Sequence, residues 1–276
     1  TPYLTSIAND ISLGQVTYYN RFNERSAFAG SLRYFGLGDI VLTDNTGQEL
    51  TTVNPNEFAF DLSYSLKLSD MFSMGVAGRY IRSNLRIATD NNDASAANSF
   101  AVDVAAFYQS EEIAYSDFNG RWRAGINMQN MGPKISYDGD VERSSNFLPS
   151  NLKIGAGFDF ILDEYNKVSV LAEANKLMVP TDPIRDTEGN IISGRDPDRS
   201  IPAGIFGSFS DAPGGFSEEM KEIIWSLGAE YWYQESFALR TGYYHESQMK
   251  GFRKFYTIGA GFKYNIVKVD VSYLFS

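Results

Sequence analysis

Residues 58–68 read FAFDLSYSLKL, and no other feature restricts the possible folds of this chain so severely. Phe58, Phe60, Leu62, Tyr64, Leu66 and Leu68 fall on one side of an extended chain, with Ala59, Asp61, Ser63, Ser65 and Lys67 on the other. Strict alternation of large apolar with small or charged groups is the period of a β-strand with two unlike faces; a helix would scatter both sets. The pattern returns at 72–82 (Phe72, Met74, Val76, Tyr80), at 99–109 (Phe100, Val102, Val104, Ala106, Tyr108) and at 121–131 (Trp122, Ala124, Ile126, Met128). At 150–160 it sets Leu152, Ile154, Ala156, Phe158 and Phe160 against Lys153, Gly155, Gly157 and Asp159. Further strands read at 167–176, 223–233, 236–246, 255–265 and 266–276, with two weaker ones near 9–20 and 26–36. Most run to about 10–11 residues, the length a tilted strand needs to cross a bilayer. Strands of soluble proteins average about 5–6.

The connections carry a second signal. From 37–57 onward, long loops (37–57, 83–98, 132–149, 177–222) and a loop at 247–254 alternate with tight or short turns (69–71, 161–166, 234–235, near Asn265) and a shorter link at 110–120. A soluble sandwich has no reason to collect its long loops at one end. An outer-membrane barrel has one, with long loops outside and short turns in the periplasm. Parity then requires a strand before 9–20, with Thr1–Leu4 as its tail, and another after 266–276. Membrane barrels are closed and even-stranded because an open edge in lipid strands backbone polar groups. The expectation is therefore an all-β transmembrane antiparallel barrel of fourteen strands, about twelve of them visible in full and the terminal ones incomplete. It forms a single domain over 1–276, with a long exterior loop at 177–222.

Composition agrees and excludes much else. No run approaches the ~20 apolar residues of a membrane-spanning helix, and the mean hydropathy of −0.27 is what alternating faces produce. A net charge of −10 argues against nucleic acid as a partner. The absence of cysteine removes disulfides, thiolate catalysis and Cys-type zinc sites. The chain opens at Thr1 without a start Met or signal peptide; for an exported protein the expectation is a targeting segment that has been removed or that lies upstream of Thr1.

The face opposite the large residues carries Asp61, Lys67, Arg79, Asp103, Arg123, Asn127, Lys153, Asp159, Glu173, Asn175, Glu230, Arg240, Lys263 and Asp270. Interleaved signs suit a salt-bridge lattice lining a narrow lumen; the alternative is a selective polar channel, although a selective pore favours one sign. His245, the one histidine, stands beside Glu246 at a strand end, where packing or solvation suits it better than catalysis. The GAGF stretches at 155–158 and 259–262 do not match G-x-G-x-x-G, and their glycines relieve bulk on the inward face. DTEGNIISGRDPD (186–198) is acidic without EF-hand spacing, hence a solvated loop, with adventitious calcium the lesser reading. SEEMKEII (217–224) predicts a short helix with Ser217 as N-cap. Apolar Ile201, Ile205, Phe206 and Phe209 lie upstream in the same loop, and exposed clusters of this kind mark a partner, a lumen cover or loop packing. No catalytic, cofactor or metal residue is expected, and the protein is not expected to be an enzyme.

Several segments together resemble the PorV (LptO) family of type IX secretion outer-membrane proteins, within the FadL-like barrels. They are GRYIRSNL (78–85), NMGPKISY (130–137), NKLMVPT (175–181), DAPGGFSEEMKEI (211–223), SLGAEYWY (226–233) and RTGYYHE (240–246). The resemblance implies fourteen strands, residence in the bacterial outer membrane and a role in protein export. It implies partners: secreted proteins with a C-terminal secretion domain, the translocon barrel Sov/SprA, the PorU sortase and outer-membrane lipid. The expected contact residues in the long loop are Ile201, Ile205, Phe206, Phe209, Asp211, Phe216 and Met220. The rival expectation is a FadL-type transporter of hydrophobic small molecules.

Overall fold

The computed structural model describes residues 3–8, 11–87, 95–137 and 145–276. In chain order the strands begin with β1 (Tyr3–Ala8), β2 (Ile11–Arg21), β3 (Ser26–Gly36), β4 (Ile40–Thr43), β5 (Glu49–Val53), β6 (Asn56–Lys67), β7 (Phe72–Asn84), β8 (Ala97–Gln109), β9 (Ile113–Ala114) and β10 (Asn119–Met131). They continue with β11 (Ile135–Ser136), β12 (Ser145–Asn146), β13 (Asn151–Ile161), β14 (Asn166–Leu177), β15 (Ile184–Arg185), β16 (Ile191–Ser193), β17 (Ile223–Tyr233), β18 (Phe237–His245), β19 (Lys254–Tyr264) and β20 (Val267–Phe275). Two short helices, α1 (Ile201–Gly207) and α2 (Phe216–Lys221), separate β16 from β17.

One 14-stranded sheet takes the order β1-β2-β3-β6-β7-β8-β10-β13-β14-β17-β18-β19-β20, with two-residue β9 paired onto β10. The remaining strands form hairpins of their own, β4–β5, β11–β12 and β15–β16, inside the long connections. Every strand that the alternation predicts is present, most of them shifted by no more than two residues at either end. The sequential path holds thirteen strands; β9 makes the fourteenth. The strand expected around Thr1–Leu4 is β1, and Thr1 itself lies outside the described residues. Parts of the 83–98 and 132–149 connections, residues 88–94 and 138–144, also lie outside them. Because residues 9–10 alone join β1 to β2, the alternation of long and short connections begins only at 22–25.

Contacts divide the chain into two units, and the boundary cuts through β7, β8 and β10. The first comprises Thr1–Lys67, Gly75–Val104 and Gln129–Ser150. In it β3 pairs antiparallel with β2 and β6, setting Asp61 opposite Ser31 and Leu62 opposite Gly30. The part of β8 here alternates cleanly: Ala97, Ser99 and Ala101 are buried, whereas Asn98, Phe100 and Val102 are exposed. Ile135 and Leu148 from the 132–150 connection are buried with Ala97 and Ala101, and Ile81 and Tyr137 pack beside them. That connection therefore folds over the small-residue face of β8.

The second unit comprises Leu68–Met74, Ala105–Met128 and Asn151–Ser276. Here β13, β14, β17, β18, β19 and β20 pair as successive antiparallel neighbours without a register break. Leu227, Leu239, Ile258, Val269 and Val271 are all exposed. At the end of these strands from which the 178–222 and 246–253 connections leave, Trp225, Tyr243, Tyr256 and Phe275 form a row of rings with centroids 5.4, 4.7 and 5.9 Å apart in turn. Toward the opposite end Tyr115, Phe118, Trp122, Phe158 and Phe160 gather, the Trp122 and Phe158 rings 4.6 Å apart.

Among the described residues, buried polar side chains outnumber buried apolar ones, thirteen to nine, and the large apolar groups of the sheet face outward. Water as the surrounding solvent would select the reverse. An exposed apolar band with aromatic rings at both ends is the pattern that lipid-facing strands carry. No helix among the described residues is long and apolar enough to cross a membrane.

Candidate functional site in the 178–222 connection

The polar face of the sheet is held by ion pairs. In the first unit Arg79 binds Asp61 through Nε and Asp103 through Nη2 at 2.9 Å, and donates to the Asn130 side chain. Asn130 sits at φ 57°, its amide N–H reaching Asp103 at 2.8 Å and its side-chain nitrogen the Pro149 carbonyl at 3.0 Å. The first residue of NMGP thus joins three strands to the connection that follows it. In the second unit Arg123 meets Asp159 at 2.6 Å, and the Ser169 hydroxyl donates to the same carboxylate at 2.7 Å. Arg240 bridges Glu230 and Asp270, the latter at 2.6 Å. A Cβ at Gly261 would stand 2.5 Å from Asp270 Oδ1 and 2.7 Å from Arg240 Nη1, so the second GAGF glycine makes room for this pair.

The 178–222 connection is fastened differently. Lys176, at the end of β14, reaches Glu219 at 3.0 Å and Glu222 at 2.6 Å. Lys250 reaches Glu218 and Glu222, both at 2.8 Å, and the Thr181 hydroxyl donates to Glu222 at 2.8 Å. Two lysines and three glutamates tie α2 to the sheet end and to the 246–253 connection. DAPGGFSEEM becomes legible through this clamp. The Ala212 amide donates to Glu219 and the Gly214 amide to Glu218, each at 2.8 Å. Gly215, at φ 65°, holds the left-handed turn that starts the helix. The helix begins at Phe216 with Gly215 as N-cap, not at Ser217, because Glu218 and Glu219 engage these preceding amides and no side-chain cap is made.

Titration follows from this geometry. Hydrogen bonds from Lys250 and the Gly214 amide hold the Glu218 carboxyl below its ordinary value. Burial alone would raise Glu222, but donors from Lys176, Lys250 and Thr181 outweigh it and hold it low. Burial opposes the charge of Lys250, and its bonds to Glu218 and Glu222 prevail, raising it. Asp211 behaves oppositely: burial pushes it up, with repulsion from Glu219 adding and the Thr181 amide partly offsetting. Neither Asp211 oxygen has a hydrogen bond of ordinary geometry.

The amino-acid sequence over residues 1–184 matches a family described as Type IX secretion system protein PorV. The chain belongs to the PorV family. No curated protein matches it. Among solved structures it is similar to the toluene transporter TodX of P. putida, at TM-score 0.46 and 9% identity, over 95% of this chain and 75% of that one. It is also similar to a FadL homologue of Pseudomonas aeruginosa, at TM-score 0.40 and 12% identity, over 96% of this chain and 69% of that one.

In this PorV-family chain the expected contact residues separate into two groups. Phe206, Phe209, Phe216 and Met220 are exposed, Phe216 at 80%. Ile205 and Asp211 are buried at 5% and 1%, and Ile201 is half-buried at the start of α1, a helix the sequence reading did not foresee. Pro202 in its first turn was the available signal. The clamp lysines also escaped that reading. Lys176 interrupts the apolar alternation Val168, Val170, Ala172, Ala174, and a charge ending such a row marks an anchorage. His245 stacks on Trp225 at 4.8 Å and meets the Tyr243 hydroxyl at 3.2 Å, a packing environment. Asp186 accepts the Glu188 and Asn190 amides at 3.0 and 2.8 Å, so its carboxylate closes the turn between β15 and β16.

Proposed function

We propose that this protein is an outer-membrane barrel without catalytic activity that binds secreted cargo through the cargo's C-terminal secretion domain and associates with the translocon barrel and the surface sortase. The observation that carries this reading is the exposed apolar set Phe206, Phe209, Phe216 and Met220, displayed on a connection that five charged groups hold in place. Large apolar groups on a pre-ordered platform lose little entropy on docking, which is how a partner surface gains affinity. Family membership supports the secretion role, and the apolar band between two aromatic rows supports the membrane setting.

The test is affinity purification from detergent-solubilised outer membranes with mass spectrometry of the companions. A very large barrel subunit and secreted proteins sharing a C-terminal domain are expected with the native chain. Both are expected to fall away from a Phe206→Ser, Phe216→Ser variant that still assembles. A protein recovered alone, carrying only lipid, would sink this reading and favour a transporter of hydrophobic small molecules.

A further inference from the structure

Lys221, His245 and Lys254 line one cup of about 400 Å³, together with Ser247, Gln248 and Met249. Trp225, His245 and Lys254 are cross-strand neighbours on β17, β18 and β19, and so share the apolar face of the sheet. Lys221, the last residue of α2, reaches in from the loop side and donates to Met249 Sδ at 3.5 Å. Lys254 lies over the Phe252 ring at 5.3 Å. Neither lysine has a carboxylate partner among the described residues, in a chain of net charge −10. The acids closest in sequence are engaged elsewhere: Glu246 by Arg253 at 2.8 Å, and Glu218 and Glu222 by Lys250. Directly along the same face runs the row Trp225, Tyr243, Tyr256 and Phe275.

Cationic groups above an aromatic row, at the rim of an apolar band, stand where lipid headgroups meet acyl chains. We infer that this cup binds the phosphate of an outer-leaflet lipid, whose acyl chains lie along the aromatic row. Lys221 and Lys254 supply the charge, Ser247 and Gln248 supply neutral donors, and Trp225 backs the imidazole of His245. The inference rests on the membrane reading above.

The experiment uses the full chain reconstituted in phosphatidylcholine nanodiscs doped with either phosphorylated lipid A or its enzymatically dephosphorylated form, with retained lipid counted by native mass spectrometry. The native chain is expected to retain the phosphorylated form about twenty-five-fold better, and Lys221→Gln, Lys254→Gln to lose that preference, since each surface lysine near an anionic headgroup is worth roughly a fivefold factor. The Lys221→Arg, Lys254→Arg variant should keep it, which separates charge from folding damage. An unchanged preference in the glutamine variant overturns the inference while the membrane reading stands. Complete displacement by millimolar inorganic phosphate overturns the lipid as ligand in favour of a soluble anion. Failure of the native chain to enter nanodiscs at all defeats the membrane reading itself.

Discussion

Two ion-pair clusters of similar chemistry sit in different places and do different work. The Arg79 cluster draws Asp61, Asp103 and Asn130, from separate strands, onto one guanidinium on the polar face. The clamp of Lys176 and Lys250 with Glu218, Glu219 and Glu222 instead joins a helix in a connection to the sheet end. In the first, one cation compensates two carboxylates, and among the described residues no second cation is paired with either. In the second, Glu222 is shared by two lysines, so losing either leaves it paired. One cluster is part of the sheet's integrity; the other sets whether a surface element is ordered.

The largest effect expected from breaking this contrast is at Arg79. Arg79→Leu leaves buried Asp61 and half-buried Asp103 uncompensated, and should reduce stability by about 3–5 kcal/mol, read as a fall in the urea midpoint of the refolded protein. Lys250→Gln, which leaves Glu222 paired with Lys176, should barely move that midpoint but should hasten proteolysis within 178–222. Equal losses of global stability in the two variants would erase the distinction between them. Next comes the contrast between the two faces of one strand. Leu62 is 59% exposed on the apolar face, whereas Ser63 lies on the polar one. Leu62→Arg should hinder assembly into lipid by roughly 2–4 kcal/mol, and Ser63→Arg should escape that penalty. Folding yields into vesicles report the difference.

Acidity sharpens the comparison further. Because Glu218 and Glu222 are held low, their contribution is in place above the ordinary glutamate value of about 4.3 and disappears as pH falls through their lowered values. Lys250 is held high, so its share is complete below about pH 10.4 and disappears as pH rises through its raised value. Hydrogen exchange in α2 should therefore be slow across the middle range and accelerate at both extremes, before the sheet amides respond. The smallest effect is expected at Asp211, whose raised carboxyl disfavours the fold increasingly as pH climbs above the ordinary aspartate value of about 3.9, and fully above its raised value. Asp211→Asn should stabilise the connection by on the order of 1 kcal/mol at neutral pH and make no difference near pH 3. Limited proteolysis at the two pH values tests this.

Much of this architecture was legible in residue order. Alternation in a strand is a local property: once Phe60, Asp61 and Leu62 are consecutive and extended, geometry sends them to opposite faces whatever surrounds them. Hence the strands at 26–36 and 223–233 are found at the predicted residues, and Gly261 of the second GAGF stretch leaves room for the Arg240–Asp270 pair. Order of the strands followed as well, because short connections leave antiparallel neighbours few alternatives. The connections were less legible. Ile205 and Phe206 are adjacent and both apolar, yet one is buried and the other exposed, and only the turn of α1 separates them. Glu218, Glu219 and Glu222 read as a solvated acidic helix until Lys176 and Lys250, 43 and 32 residues away, come within hydrogen-bond reach.

The amino-acid sequence by itself determined the period, the two faces and the antiparallel succession, since each depends on neighbours a few residues apart. Which acids meet which bases, which loop side chains reach the surface and which lysines are left to collect into one cup were decided only by the tertiary structure, because charge pairing depends on distances through space that residue spacing does not encode.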